Sequence, residues 1–118
     1  IILDNTPKPQ LVLDPWASAA LTDVLRGVIS QGTATNAQIG RPAAGKTGTT
    51  DSQREVWFVG YVPQLATAVW VGNDDYRPLG KGATGGGYAA PVWQSFMQAA
   101  LRDEPVENFR SPKEFIRP

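Results

Sequence analysis

The residues best placed to do chemistry sit together at Gly45-Lys46-Thr47-Gly48-Thr49-Thr50, and two incompatible chemistries fit them. Read backwards to Gly40, the segment Gly-Arg-Pro-Ala-Ala-Gly-Lys-Thr satisfies the phosphate-loop pattern G-x-x-x-x-G-K-[ST]. Read forwards, Lys-Thr-Gly-Thr is the K-T-G element of serine acyl-transfer sites. In that second chemistry Lys46 supplies a fixed positive charge, and Thr47 and Thr49 supply hydroxyl donors for a carboxylate. Gly48 leaves room for a substrate backbone close to the strand. The backbone N–H of Thr49 would face a developing oxyanion, where losing one donor typically costs about 10²–10³ in rate. Taken alone, an exposed lysine in a glycine-rich turn explains the tripeptide equally well.

The elements that position the run discriminate between the two. A phosphate loop is delivered by a strand, and a helix begins at its lysine and aims N–H groups at phosphate. Upstream, Gln31 to Ile39 holds no buried strand, and downstream Gly48-Thr49-Thr50-Asp51-Ser52 is poor helix material. Val69-Trp70-Val71 leading to Asp74-Asp75 imitates an apolar strand ending in a magnesium-binding acid, but loop acids making turn bonds explain that pair as well. The forward reading instead predicts a strand at about 45–50 and a turn at Asp51–Arg54. Two more strands follow, at Val56–Tyr61 and Ala66–Val71, antiparallel because the Val62-Pro63-Gln64 turn is too short for a crossover.

Two helices flank this sheet. Asp14 followed by Pro15 is a helix start, and Ala17, Ala20, Leu21, Val24, Leu25, Val28 and Ile29 form the expected buried face of a helix over 15–30. Residues 31–44 and Asn73–Gly87 read as loops. Pro91 opens a second helix, weakly capped by Ala90, with Trp93, Phe96, Met97, Ala100 and Leu101 as its stripe. Trp57, Trp70 and Trp93 are expected to pack in core or sheet. Thr84 to Gly87 either lines the cleft beside Lys46 or is a flexible glycine loop. From Asp103 on, proline and charge predict a surface or disordered tail.

Composition narrows the chemistry. The chain has 118 residues, 42% apolar and 19% charged, and 11 basic residues balance 11 acidic ones. No net field favours nucleic acid or an anionic membrane, and no apolar run approaches the roughly 18–20 residues of a membrane span. Cysteine and histidine are both absent. That excludes thiolate nucleophiles, disulfides, imidazole bases and the commonest zinc ligands, leaving Lys, Asp, Glu, Tyr or water to move protons. No metal or other cofactor is expected. The chain opens at Ile1 with no start signal and reads as part of something longer.

At this point the wider chain resembles a known family, the class A bifunctional penicillin-binding proteins, in the carboxy-terminal part of their transpeptidase domain. The matching stretches begin with Leu21-Thr22-Asp23-Val24-Leu25-Arg26-Gly27-Val28 and Gly40–Thr50. Trp57-Phe58-Val59-Gly60-Tyr61 and Val69-Trp70-Val71-Gly72 with Asp74-Asp75 follow. Thr84-Gly85-Gly86, Ala89-Ala90-Pro91-Val92-Trp93 and Phe96-Met97 complete the set. The resemblance covers about residues 10–110. It implies an α+β fold, an antiparallel sheet packed between helices, of which three strands lie here within a larger sheet. Residues 1–110 would be the carboxy-terminal portion of the transpeptidase domain and 111–118 a surface tail.

The resemblance also implies a reaction. A serine attacks the penultimate D-alanine carbonyl of a peptidoglycan stem peptide and expels D-alanine; the acyl group then passes to an amine on a neighbouring stem, and β-lactams trap the same serine. Lys46 would orient substrate and support proton transfer, Thr47 and Thr49 would hold the carboxylate, and Thr49 N–H would form half the oxyanion hole. The stem peptide would pair along this strand. The family lies at the extracytoplasmic face of the bacterial membrane, anchored by an N-terminal segment, with a glycosyltransferase domain. Its nucleophile and relay motifs are S-x-x-K and S-x-N. Ser18, Ser30, Ser52, Ser95 and Ser111 satisfy neither, so the nucleophile is expected outside this chain, which alone should be inactive. The rival functions are a nucleotide-binding module on Gly40–Thr47 and a degenerate domain that only contacts partners. If the sheet lacks an edge strand and its upstream helices, the chain should be ordered only beside a complementary chain or by self-association.

Overall fold

The computed structural model describes residues 2–118. Helix α1 spans Pro15–Ser30, the range the sequence predicts. The Asp14 carboxylate accepts from Trp16 N–H at 2.8 Å and Ala17 N–H at 3.3 Å, satisfying donors that the first turn leaves orphaned. Strands β1 (Ala44–Thr49), β2 (Glu55–Val62) and β3 (Leu65–Gly72) form one antiparallel sheet in the order β1-β2-β3. Helix α2 covers Ala90–Ala100. The architecture is the α+β arrangement expected.

Alternation on β2 sorts the sheet into two faces. Val56, Phe58 and Val62 are buried and point inward, towards α2, while Trp57 and Val59 point outward. On the inner face Trp93 meets Phe58 edge-on at 5.1 Å and 73°, and its indole N–H donates to Thr67 O at 3.1 Å. Thus the one polar atom of a fully buried tryptophan is satisfied. Met97 and Leu101 continue this layer, and Ala34, Ala37 and Ala43 close it from the α1–β1 connection.

Three expectations need correction, and one is sharpened. Of the three tryptophans expected in core or sheet, Trp93 is in the core, while Trp57 and Trp70 stand opposite each other on the outer face of the sheet, 41% and 43% exposed. Period-two alternation shows which residues share a face, not which face has a layer on it. The same limit applies to α1: it turns Ala19, Thr22 and Ile29 towards β1, the Thr22 and Tyr61 hydroxyls lie 2.7 Å apart, and Leu21 and Val24 are left exposed. On α2, Phe96 and Ala100 are exposed where the stripe expected them buried. Finally, α2 has no cap at Ala90. A π-helical turn at Gly85–Ala89 feeds into it, and Thr84 Oγ1 accepts from Gly87 N–H at 3.0 Å.

Beyond Leu101 the chain returns over α1. Phe109 packs edge-on against Tyr61 at 5.6 Å, a Ser111–Glu114 capping box closes the turn at Pro112–Glu114, and Arg117 lies over the Trp16 ring.

Candidate functional site

Strand β1 is an edge of the sheet, and its free side carries the motif. In an antiparallel ladder alternate residues direct both backbone groups to the neighbour. Thr50 N–H donates to Glu55 O at 3.0 Å, which fixes the phase with the register Thr49↔Val56. Ala44, Lys46 and Gly48 therefore bond to β2, while Gly45, Thr47 and Thr49 direct N–H and C=O away from it; Gly45 is buried there, and the edge opens at Thr47 and Thr49. Lys46 agrees with this phase: its ammonium curls round to the edge and donates to Thr47 O at 3.0 Å.

Side chains divide by the same alternation. Lys46 and Gly48 share the outer face with Val59 and Trp57, whereas Thr47 and Thr49 share the inner face with Phe58 and Val56. Thr47 Oγ1 lies 2.9 Å from Thr33 Oγ1 and accepts from Lys46 Nζ at 3.4 Å. Thr49 Oγ1 accepts from Gly85 N–H at 3.2 Å. Lys46, Thr47, Gly48 and Thr49 thus come together as one strip with a charge, two hydroxyls and one unpaired N–H row. A Cβ on Gly48 would meet nothing nearer than Trp57 Cβ at 3.4 Å, an ordinary contact. Packing within this chain gives no reason for glycine there.

The Thr84–Gly87 segment is a built wall of this strip, not a flexible loop. A Cβ on Gly85 would lie 2.3 Å from Trp57 O, and one on Gly86 would lie 2.0 Å from Thr33 O. Only glycine lets these backbones touch. Asn36 Nδ2 donates to Gly86 O at 3.0 Å, tying the wall to the α1–β1 connection.

Sequence reasoning missed Arg41. Its guanidinium donates to Leu101 O at 3.0 Å, Pro105 O at 3.1 Å and Glu104 O at 3.3 Å. These carbonyls follow directly on the C-terminus of α2, so the cation complements the negative end of that helix. It also ties the approach to β1 to the far end of the chain. A partner some sixty positions away leaves no local signal.

The phosphate-loop geometry is absent. Lys46 lies within a strand, paired with Val59, and no helix begins there. Asp75 accepts from Arg77 N–H at 3.2 Å and pairs with its guanidinium, and no group of three or more metal-ligating side chains occurs among the described residues.

Comparison with known proteins points one way. The family described as the penicillin binding protein transpeptidase domain matches residues 2–98. The chain is 40% identical over 117 residues to penicillin-binding protein 1A of Aquifex aeolicus, covering 98% of this chain and 16% of that protein. It is 38% identical over 110 residues to penicillin-binding protein 1A of Neisseria lactamica, covering 92% and 13%. Among solved structures it is similar to penicillin-binding protein 1A from Haemophilus influenzae, with TM-score 0.66 and 34% identity over 78% of this chain and 15% of that one. The chain spans about a seventh of the length of these relatives.

Proposed function

The chain belongs to the penicillin binding protein transpeptidase domain family, and from that premise we propose that it forms the lysine-bearing wall of a serine D,D-transpeptidase site. In this reading the site cross-links peptidoglycan stem peptides and is acylated by β-lactams. The observation that carries it is the free edge of β1, where the Lys46 ammonium, the Thr47 and Thr49 hydroxyls and the Thr49 N–H converge.

A stem peptide lies antiparallel or parallel along that edge and takes the backbone groups of Thr47 and Thr49 as a further strand. Its terminal carboxylate accepts from the Thr47 and Thr49 hydroxyls beside the Lys46 charge. A serine outside this chain attacks the penultimate carbonyl. As the carbonyl oxygen gains charge, the Thr49 N–H stabilises it as one of two oxyanion donors, and Lys46 supports proton transfer. The C–N bond to the terminal D-alanine breaks, that amine leaves protonated, and an acceptor amine later releases the acyl group from the serine. Gly48 keeps the outer side of the strand clear for the ligand backbone.

The remaining parts of the reading follow from this role. The chain acts with the upstream part of the same domain, which supplies nucleophile and base, and alone it is inactive. Residues 1–110 belong to that domain and 111–118 form its surface tail. The work takes place at the extracytoplasmic face of the cytoplasmic membrane. In this reading anchoring is by an N-terminal segment outside this chain; no helix among the described residues is long and apolar enough to cross a membrane.

The test is covalent labelling of the full-length protein by a fluorescent penicillin. Wild type is expected to label in proportion to time and concentration, and Lys46→Ala to label about 10²-fold or more slowly. Absence of labelling in wild type favours a domain that only contacts partners; unchanged labelling in Lys46→Ala removes the lysine from the site.

A further inference from the structure

Thr33 has no part in the reaction outlined above, yet it is among the most firmly held residues near the site. Ala34 N–H donates to Val28 O at 3.0 Å, Ala34 and Ala37 are fully buried, and the Gly86 backbone presses on Thr33 O. The Thr33 hydroxyl is thereby fixed 2.9 Å from Thr47 Oγ1.

A hydroxyl oxygen has two acceptor sites and one proton. At Thr47 one acceptor site takes the Lys46 ammonium at 3.4 Å. If the Thr33 hydroxyl donates into the other, the Thr47 proton has no partner inside the chain and points to the open edge. Thr49 repeats the arrangement independently: Gly85 N–H donates into its oxygen at 3.2 Å, leaving its proton free as well. With that polarity both threonines are fed from behind by a donor on a rigid segment. An anion at the edge selects this polarity, because each donor in the chain strengthens the next.

We propose that Thr33 is a positioning residue: its hydroxyl donates to Thr47 Oγ1 and turns the Thr47 proton outward, toward the carboxylate of a bound peptide or β-lactam. This rests on the transpeptidase reading of the same edge. Thr33 touches no substrate, and its effect passes wholly through Thr47.

The test compares acylation of the full-length protein by a penicillin and by the methyl ester of that penicillin, which lacks the carboxylate charge. Thr33→Val keeps the shape of the side chain and removes the donor, while Thr33→Ser keeps the donor. We expect Thr33→Val to lower the second-order acylation constant for the free acid about five- to tenfold, and to change that for the ester less than twofold. Thr33→Ser should restore the free-acid value, and Thr47→Val should lower it at least as far as Thr33→Val. Equal losses with acid and ester would mark Thr33 as merely structural and overturn the proposal. A loss in Thr47→Val with none in Thr33→Val would also overturn it while leaving the transpeptidase reading intact. No effect of Thr47→Val, or no acylation of wild type, would remove that reading and this proposal with it. Thermal unfolding of each variant checks that the fold is retained.

Discussion

The two faces of the sheet are built from equally apolar side chains and end in opposite states. On the inner face Val56, Phe58 and Val62 are at most 2% exposed beneath α2. On the outer face Trp57, Val59 and Trp70 are between 41% and 49% exposed. An aromatic pair this size costs free energy when left in water, and the exposed Leu21 and Val24 of α1 add to that cost. What differs is the cover within the described residues: α2 lies over the inner face, while on the outer face packing reaches Tyr61, against Phe109 and beside Thr22, and leaves the tryptophan pair half exposed.

Mutations should separate the faces. The largest effect is expected from Trp93→Ala, whose neighbours all belong to this chain; it should cost about 3–5 kcal/mol in urea unfolding of the full-length protein. Gly60→Ala comes next, because its Cβ would stand 2.7 Å from the Phe58 ring and 2.9 Å from that of Trp93. About 1–3 kcal/mol of overpacking is expected there. On the outer face, Trp57→Ser with Trp70→Ser should change the stability of the chain by about 1 kcal/mol or less. The double variant should, however, weaken self-association of the isolated chain in sedimentation equilibrium. A sharp unfolding transition from a dilute wild-type monomer would break the comparison. Smallest is Gly48→Ala, expected within about 0.5 kcal/mol of wild type but slower in penicillin labelling, since the room it fills is not used by this fold.

Local chemistry made much of the fold legible. Asp14 and Pro15 marked the start of α1, and β-branched and aromatic runs bounded by Asp51–Arg54 and Pro63 located the strands. Flanking propensity argued against a helix start at Lys46, and the K-T-G pattern placed it on a strand. The rest depended on distant partners. Gly85 and Gly86 fit a flexible run as well as a cleft wall until the backbones that their missing side chains let touch are in place. Thr33 and Arg41 look like ordinary loop polars until their partners, fourteen and some sixty positions away, are in place. Burial of one face of Trp57 or Leu21 over the other was equally unreadable, because apolar periodicity does not identify the neighbour.

The clasp made by Arg41 has a bearing on timing. The strand that carries Lys46 is braced by Gly85 from one direction and, through Arg41, by the carbonyls of Leu101 to Pro105 from another. During synthesis at roughly 5–20 residues per second, those braces emerge about 2–12 s after Lys46 itself. Until then β1 lacks the Gly85 N–H that holds the Thr49 hydroxyl and the carbonyls that hold Arg41, and an unbraced strand edge is prone to wrong pairing. A nascent chain of this kind is most at risk in the interval between making its recognition strand and making the residues that hold it, and slow codons after position 50 would lengthen that interval.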